Sequence, residues 1–248
     1  MPPSTSRAKP VVDIEDIGND ARSRFRRQFP VIQKMRATKN AAVDTLGCHM
    51  LADRDAQPAV RRFQTFISLL LSPRTKDEKT AEAIANLRAH GLTVEKMIAT
   101  PVAKIEQMIK MVGMWKTKAE YVKANSVVLR DRFNSDLADL LALRGVGPKI
   151  ANLTLVHCYE SDEYIGTDVH VHRIANRLWI NTKTPEQTEE ALKKIVPRDL
   201  WRDVNVALVG FGQTICKARP KCEECDLRSQ CPVAASFLKA KKPKRSSN

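Results

Sequence analysis

A chain of 248 residues, 43% hydrophobic but only 5% aromatic, is long enough for one or two packed domains, and its formal charge of +14 turns it toward polyanions. No apolar run approaches bilayer length and no secretory apolar segment opens the chain, so a soluble, intracellular protein is expected. Six cysteines, four of them crowded near the end, do not make a disulfide framework.

The charge is uneven: residues 1–40 hold nine basic and four acidic groups, residues 239–248 hold five basic and none acidic, and the body keeps only +4. Residues 1–23, rich in Pro, Ser and charge, read as a flexible basic arm. At its end, Arg22-Ser23-Arg24-Phe25-Arg26-Arg27 is either a nucleic-acid contact or the exposed start of a helix, and Asp13, Glu15, Asp16 and Asp20 argue against an organellar presequence. Helix formers dominate and period-2 alternation is rare, so the fold class is all-α. Apolar periodicity predicts helices over 60–71, 80–90 (closed by Gly91), 93–99, 102–111 and 116–131. Cys48 and Cys158 stand apart and read as small buried hydrophobes.

Next comes Leu143-Arg144-Gly145-Val146-Gly147-Pro148-Lys149, a glycine hairpin between two apolar helical stretches, the first with a candidate cap at Ser135 or Asp136. Glycines one residue apart permit positive φ and bare backbone N–H groups, and Pro148 suits the first turn of a helix. Such a turn is either a plain helical connection or an anion-binding grip. Lys149 stands at its edge; an amine is nucleophilic only when unprotonated, so a catalytic lysine needs its pKa brought below the reference of about 10.4. Asp168, two residues before His170, is placed as a helix N-cap, as a partner for positive charge, or as both. His170 and His172, two apart, fall on different helix faces and do not read as a metal pair. Further helices are expected over 171–179, 185–195 and 200–210.

Cys216, Cys222, Cys225 and Cys231 follow in the spacing C-x5-C-x2-C-x5-C. Four thiols in so short a stretch read as a metal site, and the presence of only one close pair tilts it from zinc toward an iron–sulfur cubane. The loop Lys217-Ala218-Arg219-Pro220-Lys221 is either a phosphate-contacting surface or solvated. The basic tail over 236–248 reads as a nuclear address, a loose phosphate contact or solvated chain.

The stretch from Leu143 to Arg177 resembles the helix-hairpin-helix, Gly-Pro/Asp motif of DNA glycosylases. The chain from about Ala59 to Val233 resembles eukaryotic endonuclease III, on LLLSPRTKDEKT, GLTVEKM, VGMWKTKAEYVK, LRGVGPKIAN, DVHVHRIANRL and LVGFGQTIC in that order. The resemblance implies a six-helix barrel over 55–161 and a helical iron–sulfur cluster domain built from 24–54 plus 162–235, with the catalytic cleft between them. It implies a 4Fe–4S cluster on Cys216, Cys222, Cys225 and Cys231. It also implies a bifunctional DNA glycosylase and abasic-site lyase of base-excision repair that acts, as a monomer, on duplex DNA carrying an oxidised pyrimidine or an abasic site. Lys149 would form the Schiff base and Asp168 would assist; Arg74, Arg144, Gly145, Val146 and Gly147 would contact DNA. The nucleus is the expected compartment, with the mitochondrion open as a second.

This chain departs from the family pattern at several positions. Arg74 stands where a glutamine usually helps fill the space left by a flipped base, Arg144 replaces a proline, Thr167 replaces an apolar residue, and the first cysteine gap is five residues rather than six. These changes favour the rival expectation, a non-catalytic or monofunctional damage-recognition protein on the same fold; the joint presence of Lys149 and Asp168 opposes it.

Overall fold

The structure is a computed structural model that describes residues 19–131 and 136–240. It is helical, with no strand among the described residues. In chain order the helices are α1 (Asn19–Met35), α2 (Ala42–Leu46), α3 (Pro58–Leu71), α4 (Asp77–His90), α5 (Val94–Ala99), α6 (Val102–Met108) and α7 (Trp115–Asp131). They are followed by α8 (Leu137–Leu141), α9 (Pro148–Tyr159), α10 (Val169–Leu178), α11 (Pro185–Ile195), α12 (Trp201–Thr214) and α13 (Ala234–Ala240).

Many boundaries follow from local chemistry. Thr93 caps α5 by accepting from Lys96 N, and Thr184 caps α11 by accepting from Gln187 N with Pro185 in the first turn. Asp136 caps α8 by accepting from the amides of Ala138 and Asp139. Ser135, the other candidate there, lies outside the described residues, as do residues 1–18 of the arm and 241–248 of the tail. Helix α1 reaches back to Asn19, into the segment expected to be a flexible arm, because Ala21 and Phe25 bury one of its faces. The predicted helix over 102–111 ends at Met108. Helix α12 runs past the expected stop at 210, because Gly210 and Gly212 are packing positions and not helix ends: a Cβ on Gly210 would strike the Arg36 guanidinium, and one on Gly212 would strike the His170 ring.

Two apolar cores result. The first is gathered around α3, whose residues from Phe63 through Leu71 are all buried, against Ile84 and Leu87 of α4, Ile105 of α6, Val122 of α7, and Leu153 and Leu155 of α9. A helical stretch buried on every side is a central one, and each buried large apolar side chain contributes roughly 1.5–3 kcal/mol. The second joins Phe25, Phe29 and Ile32 of α1 to Val171 and Ile174 of α10, Leu192 of α11, and Leu208 and Phe211 of α12. Phe25 stacks on Phe29 and meets Trp179 edge-on, each at 4.9 Å between centroids. The chain passes from the first core to the second between α9 and α10. There Glu189 accepts from Asn152 Nδ2 at 2.8 Å and from Ile165 N at 3.2 Å, and Asn205 donates to Gly166 O at 2.6 Å. Thr167 is buried at this crossing, and its hydroxyl donates to Ile165 O at 3.0 Å, so a polar residue is accommodated where an apolar one was expected.

Candidate active site between the two cores

A cavity of about 440 Å³ opens between the cores, and its wall includes Arg74, Asp77, Lys149, Asp168, His170 and Gln213. Lys149 arrives from the first core on the opening turn of α9, and Asp168 from the second core as the N-cap of α10. The structure therefore brings the two residues singled out in sequence to one cavity, although the chain crosses between cores to reach the second.

The hairpin is held from behind. Asn125 of α7 accepts from Arg144 N at 2.9 Å and donates to Arg144 O at 2.9 Å, a reciprocal pair that clamps the turn. Gly145 has φ +76, and a Cβ there would collide with the Tyr121 ring, so this glycine is required twice over. Gly147 differs: its φ is −104, and a Cβ on it would meet nothing within 4 Å. It is the N-cap of α9 and has no side chain to take the first helical amides. Val146 is buried, while Arg144, Gly145 and Lys149 are exposed. The result is a bare, outward-facing helix start with a lysine at its edge, chemistry suited to an anion.

Asp168 is finished in the opposite sense. Its Oδ1 accepts from His170 N at 2.8 Å and Val171 N at 2.9 Å, which fixes the carboxylate at the cavity wall and leaves Oδ2 for other work. Beside it, burial holds His170 below the usual histidine range, and its Nδ1 lies 3.0 Å from Arg173 Nη2.

Sequence reasoning missed Asp77, Gln213, His49, His157 and Met114 as contributors. Asp77 accepts from Gln213 Nε2 at 2.7 Å while Gln213 Oε1 accepts from Val43 N at 2.9 Å, so one amide ties α4 to α2 and α12 across the cavity. Burial, partly offset by that hydrogen bond, raises the Asp77 pKa. At the floor, the His49 and His157 rings stack at 5.1 Å, and burial, with His49 and Arg202 nearby, pushes His157 down to about 3. At the mouth, Arg74 (φ +57) is exposed, and so is Met114 (φ +58), which stands on the adjoining turn with 53% of its surface accessible. Positive φ at residues with side chains costs of order 1–2 kcal/mol each, a sign that both tips are held in place by their surroundings. Asp77 and Gln213 stood within quoted motifs, but nothing in the sequence pairs them. Cys48 also lines this cavity; its Sγ donates to Ser68 O at 3.4 Å, and burial raises its pKa to about 11, as it raises that of Cys158 to about 12.

The four late cysteines line a separate cavity with Leu178, Phe211, Ile215 and Leu227. Among the described residues no three His, Cys, Asp or Glu side chains are placed to hold a metal ion as they stand. The chemistry of the donor set nevertheless fits a polynuclear thiolate cluster. All four thiols share one apolar lining, and Arg177 Nη1 lies 3.3 Å from Cys216 Sγ. Burial first, then the other cysteines, raises the Cys225 pKa to about 11, a penalty on thiolate that bound iron would relieve. Arg177 also donates to Lys217 O at 2.7 Å and Ala218 O at 2.9 Å, fixing the loop that displays Lys217, Arg219 and Lys221 to solvent.

Comparison with known proteins gives the same picture. Residues 67–198 match the HhH-GPD superfamily base excision DNA repair protein model. Endonuclease III-like protein 1 of Bos taurus is 44% identical over 218 residues, covering 85% of this chain and 72% of the relative. Endonuclease III of Thermotoga maritima is 41% identical over 175 residues, 68% of this chain and 82% of the relative. A solved non-covalent endonuclease III–DNA complex aligns with TM-score 0.75 at 25% identity, over 88% of this chain and 98% of that one. The chain therefore belongs to the HhH-GPD superfamily of base excision DNA repair proteins, within its endonuclease III-like branch of DNA glycosylases and abasic-site lyases that act on DNA.

Proposed function

We propose that the protein removes oxidised pyrimidines from duplex DNA and cuts abasic sites, with Lys149 as nucleophile and Asp168 as its partner. The observation that carries this is the arrival of both residues at one cavity, an amine from one core and a fixed carboxylate from the other. A damaged pyrimidine flipped from the stack would enter it. Lys149 Nζ attacks C1′ of the sugar, the bond from C1′ to the base breaks, and the base leaves with the electron pair. Asp168 Oδ2 opposes the positive charge developing at the sugar and takes part in proton transfer. Opening of the sugar gives an imine on Lys149. The imine acidifies the C2′ proton, and loss of that proton expels the 3′ phosphate.

Arg74 would enter or border the gap left by the flipped base, while the amides at Gly145, Val146 and Gly147, with Arg144, would hold backbone phosphate. We read the two cores as two domains, 55–161 and 24–54 plus 162–235. Cys216, Cys222, Cys225 and Cys231 would hold a 4Fe–4S cluster, which when bound cross-links the chain end that carries the Lys217–Lys221 surface. The protein would act as a monomer in the nucleus, with the mitochondrion as a second compartment.

Borohydride trapping on duplex DNA bearing one abasic site or one oxidised pyrimidine tests the assignment. A covalent complex with the wild type and none with Lys149→Ala is expected. Measurable binding with no complex on either DNA would move the assignment to hydrolytic base removal or to damage recognition without catalysis.

A further inference from the structure

Behind the Arg74 tip lies a buried cation that the mechanism above does not use. Lys118, in the first turn of α7, is only 5% exposed. Its ammonium donates to Leu71 O at 2.6 Å, Pro73 O at 2.7 Å and Thr75 Oγ1 at 3.2 Å, so its three protons meet three oxygens spread over the turn that carries Arg74. Leu71 O is one of the last carbonyls of α3, where a helix leaves acceptors unpaired and favours positive charge. No carboxylate among the described residues pairs with Lys118, and burial alone lowers its pKa to about 8. An unpaired buried ammonium is costly, and an apolar side chain would fill the same space without that cost.

The same residue also anchors the neighbouring tip. Lys118 N donates to Met114 O at 3.0 Å, and Gly113 N donates to Thr75 Oγ1 at 3.0 Å, the hydroxyl that the ammonium also reaches. A Cβ on Gly113 would stand 2.6 Å from Arg74 O, so the two turns touch backbone to backbone. The Arg74 guanidinium itself has no hydrogen-bond or ionic partner among the described residues, so its position rests on the backbone beneath it.

We propose that Lys118 is a positioning residue: it locks the turn over 72–75, with Arg74 in the left-handed conformation that aims its side chain at the duplex beside the cavity. The inference rests on the assignment of Arg74 to the space beside a flipped base. Lys118 touches neither DNA nor the reacting atoms, and it acts only where a partner strand and a stacked duplex are present for Arg74 to meet.

The test compares the wild type, Lys118→Met, Arg74→Ala and the double variant on duplex abasic DNA and on the same strand without its complement. Lys118→Met should lower single-turnover cleavage of the duplex about tenfold while leaving borohydride trapping on the single strand near the wild-type level. In the Arg74→Ala background the same substitution should change duplex cleavage less than about twofold. Thr75→Val, which removes the shared hydroxyl without emptying the buried site, should show a smaller loss with the same dependence on Arg74, and it carries the test should Lys118→Met fold poorly. Equal losses on duplex and single strand, or losses independent of Arg74, would show a merely structural lysine and overturn the proposal. Failure of the wild type to trap on either DNA would instead count against the Lys149 assignment.

Discussion

Helices α9 and α10 meet the cavity by their N-terminal ends, and the two ends are finished in opposite ways. Helix α9 begins on Gly147, with no side chain over its first amides and an exposed lysine in its first turn; α10 begins under Asp168, whose carboxylate already takes two amides. The open end suits an anion supplied from outside, such as a DNA phosphate, and the closed end suits a carboxylate that must not move. On the proposed function one end would be completed by substrate while the other is complete beforehand, so removing a side chain from each should have different consequences.

The largest effect is expected at the open end. Lys149→Gln keeps a polar side chain of similar reach but no nucleophilic amine, so cleavage of abasic duplex should fall by roughly 10⁴-fold or more while affinity for the same DNA changes little. Electrophoretic mobility and single-turnover cleavage on one protein preparation check this, and parallel loss of binding would make Lys149 a phosphate contact rather than the nucleophile.

At the closed end, chemistry and capping can be separated. Asparagine caps a helix about as well as aspartate, so Asp168→Asn should leave the melting temperature nearly unchanged while turnover drops by about 10²–10⁴-fold. Asp168→Ala should lose a comparable amount of turnover and, in addition, about 1 kcal/mol of stability. If the asparagine variant turns over normally, Asp168 is an N-cap and nothing more.

The far end of α9 extends the contrast from helix starts to helix ends. His157 is neutral in the folded protein down to about pH 3, whereas an unfolded histidine takes a proton below its ordinary value of 6.5. Its contribution is therefore fully present above pH 6.5 and is lost as the pH falls from 6.5 toward 3, by roughly 3–5 kcal/mol in all. Denaturant titrations across that window should show a slope that His157→Gln flattens; an identical slope in the variant would assign acid sensitivity to other groups.

These contrasts also mark what the sequence makes legible. Helix ends written in local chemistry are readable in advance: Gly91 after α4, Thr93 at the start of α5, Pro185 at α11, Pro148 at α9. The Gly145–Pro148 turn and the Asp168 N-cap are readable for the same reason, since each depends on residues within a few positions, whereas the roles given to Lys149 and Asp168 rest on the family resemblance. What is not readable depends on distant partners. Lys118 falls in the helix predicted over 116–131 with nothing local to mark it as buried, and its burial is decided by carbonyls 47 and 45 residues earlier. The Asp77–Gln213 bridge spans 136 residues. Gly210 and Gly212 imitate a helix stop because the side chains that need their space, Arg36 just past α1 and His170 of α10, come from distant parts of the chain.

The smallest expected effect separates the two hairpin glycines, which look equivalent in sequence. Gly145→Ala must hold φ near +76 and press a methyl group into the Tyr121 ring, so it should cost about 1–3 kcal/mol of stability, with the hairpin and its Asn125 clamp distorted. Gly147→Ala meets open space at a φ that any residue adopts, so it should lose no more than about 1 kcal/mol, the cost of placing alanine at an N-cap. The same methyl group would nevertheless stand over the bare amides at the start of α9, where the proposed phosphate would approach. Gly147→Ala should therefore weaken DNA binding without unfolding the protein, whereas Gly145→Ala weakens binding through loss of the turn. Thermal melts paired with binding isotherms for both variants decide the point: if Gly147→Ala binds like wild type, the open helix start is not where the phosphate sits, and the difference between the two helix ends is one of capping alone.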